Sequence, residues 1–239
     1  MLIPFLAFLC FQLIVGTYQQ VKVPAKLLVG LGDSAAAAGT AGGYPVSYPT
    51  VAANLLGCAV RNFAKDGVKM NAIAGQLNSA KSILPNTTHI TITIGGNDLG
   101  ILEAFNQIII NNNYALVAAK VTVLKPTWVS TFKLIRSSVP STTKVYAIPY
   151  TDVISVGNKI PNEENGHKIY HHISTTIKEA AAEAGIGFIE AVTTAFAGHE
   201  IYSADPYADD YFHPKNPIHA NAKGHAKIGE VIANYIRLE

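Results

Sequence analysis

Five short apolar runs rich in β-forming residues alternate with longer helical patterns, and this alternation restricts the fold more than any other feature of the chain. The runs span residues 27–31, 59–63, 90–94, 145–148 and 186–189. The helical patterns span residues 46–56, 68–83, 102–136, 164–184 and 221–238, and Asn111-Asn112-Asn113 is expected to break the third of them. Strands that alternate with helices form a parallel sheet covered on both faces. The sequence therefore predicts an α/β fold with a five-stranded parallel sheet.

The N-terminal segment, residues 1–17, is apolar almost throughout and is followed by polar residues. It is short for a transmembrane helix of about 20 residues, and Gly16 and Thr17 offer a cleavage point. We therefore predict a secretory signal peptide and an extracellular protein. The alternative is an uncleaved N-terminal anchor, since no Lys or Arg precedes the apolar stretch. Removal of the signal would take Cys10 with it, leave Cys58 as the only thiol and exclude an intrachain disulfide.

The rest of the chain, residues 18–239, is long enough for a single domain with an ample hydrophobic core. Its net charge is only +2, and no block of Lys or Arg marks a surface for nucleic acid or for an anionic membrane. We therefore expect no nucleic-acid partner, no stable membrane span after signal removal, and a monomer.

Ser34 has the position of a nucleophile at the end of the first strand. The string Gly32-Asp33-Ser34 follows the first apolar run and precedes the alanines of residues 35–38, which are expected to start a helix. A serine hydroxyl needs a general base and donors for the developing oxyanion. At the start of a helix, the N–H of Ser34 can itself face an anion. The alternative role for Ser34 is a helix N-cap, with Asp33 as a turn residue.

Two further strand ends offer hydrogen-bond donors. A Gly-Gly-Asn-Asp string, residues 95–98, follows the third run, and its glycines let the chain turn so that the amide of Asn97 points toward Ser34. Asp98 is expected to cap the next helix. Gly67 follows the second run and could offer a backbone N–H, although a simple turn glycine is the alternative. In a parallel sheet these groups emerge at one edge, where ligands bind.

Three of these motifs resemble the first three sequence blocks of the GDSL, or SGNH, hydrolase family: Gly32-Asp33-Ser34, Gly67 and Gly95-Gly96-Asn97-Asp98. The resemblance implies a flavodoxin-like three-layer α/β/α sandwich and a serine nucleophile. It also implies an oxyanion hole formed by the Ser34 N–H, the Gly67 N–H and the side chain of Asn97. Residues 195–200 and 205–207 are similar to a secreted esterase and lipase branch of the family.

The fourth block of that family, which supplies the histidine, is divided here between two places. Family members usually have Asp-x-x-His-Pro, followed closely by a glycine that starts the last helix. The first place is the string Asp210-Tyr211-Phe212-His213-Pro214, which has the acid and the proline but is not followed by a glycine at the expected distance. Asn216 and His219 precede a helix start with suitable spacing, but Asn replaces Asp, and Ala follows the histidine.

We favour His219 as the catalytic base, because the start of the last helix would hold it at a fixed distance from Ser34. The main-chain carbonyl or the side-chain oxygen of Asn216 could then orient its ring, with Asp210 as another candidate. The alternative base is His213, paired with Asp210.

Other chemistries are not supported by the motifs. His213, His219 and His225 recur every six residues, whereas zinc-binding helices place ligands at i and i+4, so we expect no metal site. The G-x-S-x-G elbow, the P-loop and the dinucleotide-binding motif are also missing, and no cofactor is expected. The remaining histidines are interpreted as surface or helix-end groups: His171, His172, His199 and His225.

The sequence thus predicts a secreted hydrolase that cleaves carboxylic esters through an acyl-enzyme. The alternative is a non-catalytic member that keeps the fold as a binding module, suggested by the divided histidine block. The ester substrate stays open among lipids, acylated carbohydrates and thioesters. Ile101, Leu102 and Phe105 indicate a lipid-like acyl site, although a place in the helix core explains them equally well.

Overall fold

The computed structural model describes residues 26–239, and the predicted signal peptide lies outside these residues. Its five strands are all parallel and lie in the order β2-β1-β3-β4-β5. They are β1 (Leu27–Gly32), β2 (Ala59–Asn62), β3 (His89–Thr93), β4 (Lys144–Ala147) and β5 (Gly187–Phe188). This strand order is that of flavodoxin-like sheets. The predicted five-stranded parallel sheet is therefore confirmed.

Helices cover both faces of the sheet to give three α/β/α layers. They are α1 (Ser34–Ala37), α2 (Tyr48–Leu56), α3 (Ile73–Ala80), α4 (Gly96–Leu99), α5 (Ile101–Ile109), α6 (Tyr114–Ser137), α7 (Glu163–Glu183) and α8 (Ala222–Arg237). The first and last long helices, α2 and α8, pack against each other, and α6 packs against both α3 and α7. Between residues 26 and 239, no helix is long and apolar enough to cross a membrane.

The central strands are buried on both sides, so they have no solvent-exposed face. Consecutive side chains of a strand point to opposite faces, yet Leu28 and Val29 of β1 are both inaccessible to solvent. The same holds for every residue of β3. A parallel sheet with helices on both faces requires this, because neither face meets water.

Some predicted elements are shorter than their sequence patterns. The helix that follows Ser34 is a single turn, because Ala38 adopts a left-handed conformation with φ +58°. The pattern at residues 68–83 contains a separate 3₁₀ turn, Met70–Ala72, before α3 begins. The last strand has only two residues. The predicted break at residues 111–113 is present, between α5 and α6.

Two glycines bring the ends of β1 and β3 close together. Gly32 has φ +128°, and a Cβ there would lie 2.0 Å from the carbonyl oxygen of Thr93. Gly95 has φ +112°, and a Cβ there would lie 2.5 Å from the indole of Trp128. Gln76 fixes the first turn through hydrogen bonds of 2.9 and 2.8 Å to the N–H and carbonyl of Gly32. The residues that follow both strands therefore emerge at one edge of the sheet.

Candidate active site

Ser34 is the first residue of α1, and its neighbour Asp33 is the N-cap. Oδ1 of Asp33 accepts a hydrogen bond of 3.0 Å from the N–H of Ala35. The cap is therefore supplied by Asp33, not by Ser34 as the alternative interpretation required. Within residues 26–239, no hydrogen bond uses the N–H of Ser34. Both the hydroxyl and the N–H of Ser34 are left for other partners.

The hydroxyl of Ser34 meets the imidazole of His219. Ser34 Oγ lies 2.8 Å from His219 Nε2, and His219 Nδ1 lies 2.6 Å from the carbonyl oxygen of Pro217. A carbonyl oxygen can only accept, so the Nδ1–H donates to Pro217 and Nε2 is left as an acceptor. The hydroxyl of Ser34 donates to that nitrogen. This tautomer is the one that a base acting on Ser34 requires.

Asn216 does not orient the ring of His219, so that part of the sequence interpretation is wrong. Its carbonyl accepts from the main-chain N–H of His219 at 3.3 Å, and its side-chain oxygen accepts from the hydroxyl of Thr40. Its amide donates to Asp209 at 2.7 Å. Because these bonds use both ends of the buried side chain, Asn216 braces the loop, and the carbonyl of Pro217 faces the ring instead.

The other histidine of the divided block faces solvent. His213 is exposed, and its Nδ1 accepts a hydrogen bond of 2.9 Å from the N–H of Asn216. The carboxylate of Asp210 accepts from the N–H of Phe212 at 2.9 Å. Neither side chain therefore reaches Ser34, and the two do not pair with each other.

The other predicted oxyanion donors lie in two neighbouring loops. The amide of Asn97, in α4, donates to the carbonyl of Val68 at 2.9 Å, which ties it to the loop of Gly67. Gly67 has φ +74°, with open space where a side chain would be. Ser34 and Asn97 both line the cleft described next, whereas Gly67 does not contribute to its lining. Asp98, expected to cap the next helix, instead accepts from the N–H of Met70 at 3.0 Å.

A cleft that opens to solvent lies over the Ser34 hydroxyl. Its walls are mainly apolar and include Ile101, Ile148, Tyr170, Phe196 and Ile218. Such a lining suits the hydrocarbon part of a substrate, while the few polar groups at Ser34 suit its reactive bond.

A buried polar network that the sequence did not indicate lies beneath the cleft. Asp33 is 1% exposed, and burial raises its pKa to about 7 against the opposing effect of a hydrogen bond from Tyr150. Tyr150 also lines the cleft. Nothing in its local sequence, Pro149-Tyr150-Thr151, marks it as part of a site.

One histidine departs from its expected surface role. His225 is 1% exposed in α8, and burial lowers its pKa to about 4. His171 and His199 do lie toward the surface, the latter stacked on Tyr207 at 3.8 Å between ring centroids. Across residues 26–239, no group of three or more His, Cys, Asp or Glu side chains is arranged to hold a metal ion.

Comparison with known proteins identifies the family. Residues 31–227 match the family described as GDSL-like Lipase/Acylhydrolase, which covers most of the chain. The chain belongs to this family. It is accordingly a carboxylic ester hydrolase of the GDSL, or SGNH, type, as the resemblance implied. Among proteins of curated function, none matches this chain significantly.

Solved structures of the same fold include several esterases and lipases. The extracellular lipase of Streptomyces rimosus is similar with a TM-score of 0.76 and 22% identity, over 88% of this chain and 99% of that lipase. The phospholipase A1 of Streptomyces albidoflavus NA297 follows with a TM-score of 0.70 and 21% identity, over 88% of this chain and 99% of that enzyme. A carbohydrate acetylesterase family member from Sinorhizobium meliloti has a TM-score of 0.52 and 14% identity, over 89% of this chain and 98% of that protein. At these identities the likeness establishes the fold alone.

Proposed function

We propose that this GDSL-family hydrolase cleaves carboxylic esters through an acyl-enzyme on Ser34, with His219 as general base. The observation that carries the proposal is the continuous chain of hydrogen bonds from the Ser34 hydroxyl to His219 Nε2, and from His219 Nδ1 to the carbonyl of Pro217. A serine that only capped a helix would not need a base at 2.8 Å.

In the first half-reaction, Ser34 Oγ bonds to the carbonyl carbon of the ester and its proton passes to His219 Nε2. The carbonyl oxygen becomes an oxyanion, for which the Ser34 N–H, the Gly67 N–H and the Asn97 amide are the proposed donors. The carbon–oxygen bond to the alcohol then breaks, and the Nε2 proton passes to the departing oxygen. Water repeats the sequence in place of the alcohol, which releases the acid and restores Ser34.

The carbonyl of Pro217 takes the place that a carboxylate has in the Ser-His-Asp triad. It holds the tautomer with hydrogen on Nδ1 and stabilises the imidazolium that forms when His219 takes the proton. A neutral carbonyl stabilises that charge less than a carboxylate does. The NH₂ of Asn97 carries two hydrogens, so one can stay bonded to the carbonyl of Val68 while the other is offered to the oxyanion.

The mainly apolar cleft favours an ester with a lipid-like acyl group over a small acetyl group, and the similar lipase and phospholipase A1 of Streptomyces species support that choice. We further propose that the chain is made with a signal peptide at residues 1–17, is secreted, and acts as a monomer without a cofactor. The extracellular lipase of Streptomyces rimosus supports the secreted location.

Hydrolysis of p-nitrophenyl esters by the purified protein tests the function. Ser34→Ala should abolish the activity, whereas Ser130→Ala, a substitution at an exposed serine of α6, should leave it unchanged. A serine-reactive phosphonate should label Ser34, as located by peptide mass spectrometry. Activity that survives in Ser34→Ala would overturn the mechanism, and a folded wild-type protein with neither activity nor labelling would favour the non-catalytic binding module.

A further inference from the structure

The hydroxyl of Tyr150 joins the two loops that lead from β1 to Ser34 and from β3 to Asn97. It donates a hydrogen bond of 2.5 Å to Oδ2 of Asp33 and accepts one of 2.7 Å from the N–H of Gly96. Asp33 directly precedes Ser34, and Gly96 directly precedes Asn97. One side-chain oxygen thus holds the residue before each proposed functional group.

The fit around this hydroxyl is tight on both sides. A Cβ at Gly96 would lie 3.0 Å from the Tyr150 oxygen, so only glycine lets the main-chain N–H approach it without displacement. On the other side, the carboxylate of Asp33 uses Oδ1 for the cap of α1 and Oδ2 for Tyr150. A hydroxyl can donate and accept at the same time, which a phenylalanine in the same place cannot do.

The distance between these two loops matters for the proposed chemistry. The oxyanion donors come from the end of β1, through Ser34, and from the end of β3, through Asn97. Donors must be placed to within about 0.5 Å of the productive geometry to stabilise a developing charge. The hydrogen bond between Asp33 N–H and the Thr93 carbonyl, at 3.0 Å, joins the strands before the second turn begins. After Thr93, the hydroxyl of Tyr150 links Asp33 to the N–H of Gly96, in the turn that leads to Asn97.

We infer that Tyr150 is a positioning residue that fixes the relative placement of Ser34 and Asn97 by bridging Asp33 and the Gly96 N–H. The inference rests on the function proposed above. Its effect is on the transition state rather than on substrate binding, because the oxyanion donors are needed mainly when charge develops.

The substitution Tyr150→Phe removes the bridging oxygen and keeps the ring. We expect kcat to fall by about tenfold to a hundredfold with KM changed by less than about threefold, because the turns before Ser34 and Asn97 lose the hydroxyl that links them. The matched control is Tyr146→Phe. Tyr146 lies four residues earlier, in β4, and its hydroxyl also donates to a carboxylate, that of Glu239, away from Ser34. This control should keep the kcat of the wild type.

A double-mutant cycle separates positioning from general loss of structure. If Tyr150 acts by aligning Asn97, then Tyr150→Phe should lower kcat much less in the Asn97→Ala background than in the wild type. An unchanged kcat for Tyr150→Phe would overturn the inference, and so would full additivity with Asn97→Ala. Urea unfolding of each variant shows that the assays are made on folded protein.

If Tyr150→Phe does not fold, Asp33→Ser gives the same test, because a serine hydroxyl can still cap α1, whereas the second carboxylate oxygen, which accepts from the tyrosine hydroxyl, is removed. The same loss of kcat and the same non-additivity with Asn97→Ala are then expected, and their absence would overturn the inference. The proposed function is distinguished by Ser34→Ala. Retained activity in that variant contradicts the mechanism, whereas an inactive Ser34→Ala with a fully active Tyr150→Phe contradicts only the positioning role.

Discussion

The buried histidine of α8 should make the folded protein sensitive to acid. His225 is 1% exposed, stacks on Tyr48 with ring centroids 6.4 Å apart, and has no hydrogen-bond partner for Nδ1 among residues 26–239. Burial lowers its pKa from 6.5 to about 4, and the neighbouring His219 acts in the same direction. The folded protein therefore disfavours a proton that the unfolded chain accepts readily.

The sign and size of the effect follow from the two pKa values. Well above pH 6.5 the histidine is neutral in both states, so its titration does not change the free energy of unfolding there. As the pH falls from about 6.5 toward 4, the unfolded chain binds the proton first, so the free energy of unfolding decreases. At about 1.4 kcal/mol for each tenfold difference in proton affinity, this lowers stability by about 3 kcal/mol. This loss is a large part of the free energy of unfolding of a typical protein, which is about 5–15 kcal/mol.

We expect His225→Phe, which keeps an aromatic ring against Tyr48 and cannot be protonated, to remove most of this loss. Urea unfolding at several pH values, followed by the fluorescence of Trp128, the only tryptophan of the chain, measures the difference. Asp33, with its raised pKa, acts in the opposite direction: protonation stabilises the folded state as the pH falls through about 7 toward 4. Because Asp33 is present in both proteins, its effect on the free energy of unfolding cancels when the two are compared. Parallel loss of stability in wild type and variant would refute the reasoning.

Three further substitutions test the site and the fold. Asn97→Ala should lower kcat by about two to three orders of magnitude, because its donor acts on the developing oxyanion; steady-state kinetics that show only a raised KM would return Asn97 to a turn role. His219→Ala should remove the activity, whereas the exposed His213→Ala should keep it; the reverse pattern would move the base to His213. Gly95→Ala should lower the free energy of unfolding by about 2–4 kcal/mol, because the methyl group would clash with Trp128 in a left-handed backbone; a urea midpoint equal to that of the wild type would contradict the close approach.

The sheet could be predicted because its evidence is local. The central strands are short runs rich in β-forming residues, bounded by turn residues, and both β1 and β3 are buried on both faces. The residues at which helices and strands end are harder to predict from the sequence. The run of alanines after Ser34 predicts a longer helix than α1, yet the chain leaves the helix at Ala38. Helix propensity favours continuation there, but the left-handed conformation of Ala38 ends the helix after one turn.

The sequence indicates a candidate site residue where the residue directly follows a recognisable strand and turn. Ser34 and Asn97 are of this kind, since each follows a recognisable strand and a glycine turn. Tyr150 and His225 are not. Their roles depend on partners more than 50 residues away in sequence, Asp33 and Tyr48, which only the folded chain brings together. A buried polar network of this kind leaves no periodic signal in the sequence.

The partner of the His219 ring is a group that the sequence could indicate only in kind. The main-chain carbonyl or the side-chain oxygen of Asn216, and Asp210, are the partners that the sequence predicts. The acceptor is instead the main-chain carbonyl of Pro217, a group that every residue type possesses. Ile218, between the two, has φ +51°, which is unfavourable for a β-branched side chain and shapes the turn in which the carbonyl meets the ring. The buried side chain of Ile218, 7% exposed, and the bonds of Asn216 to Thr40 and Asp209 hold that turn in place. A strained local turn thus supplies what a carboxylate supplies elsewhere, so replacing Asp by Asn in this block does not by itself argue against an active enzyme.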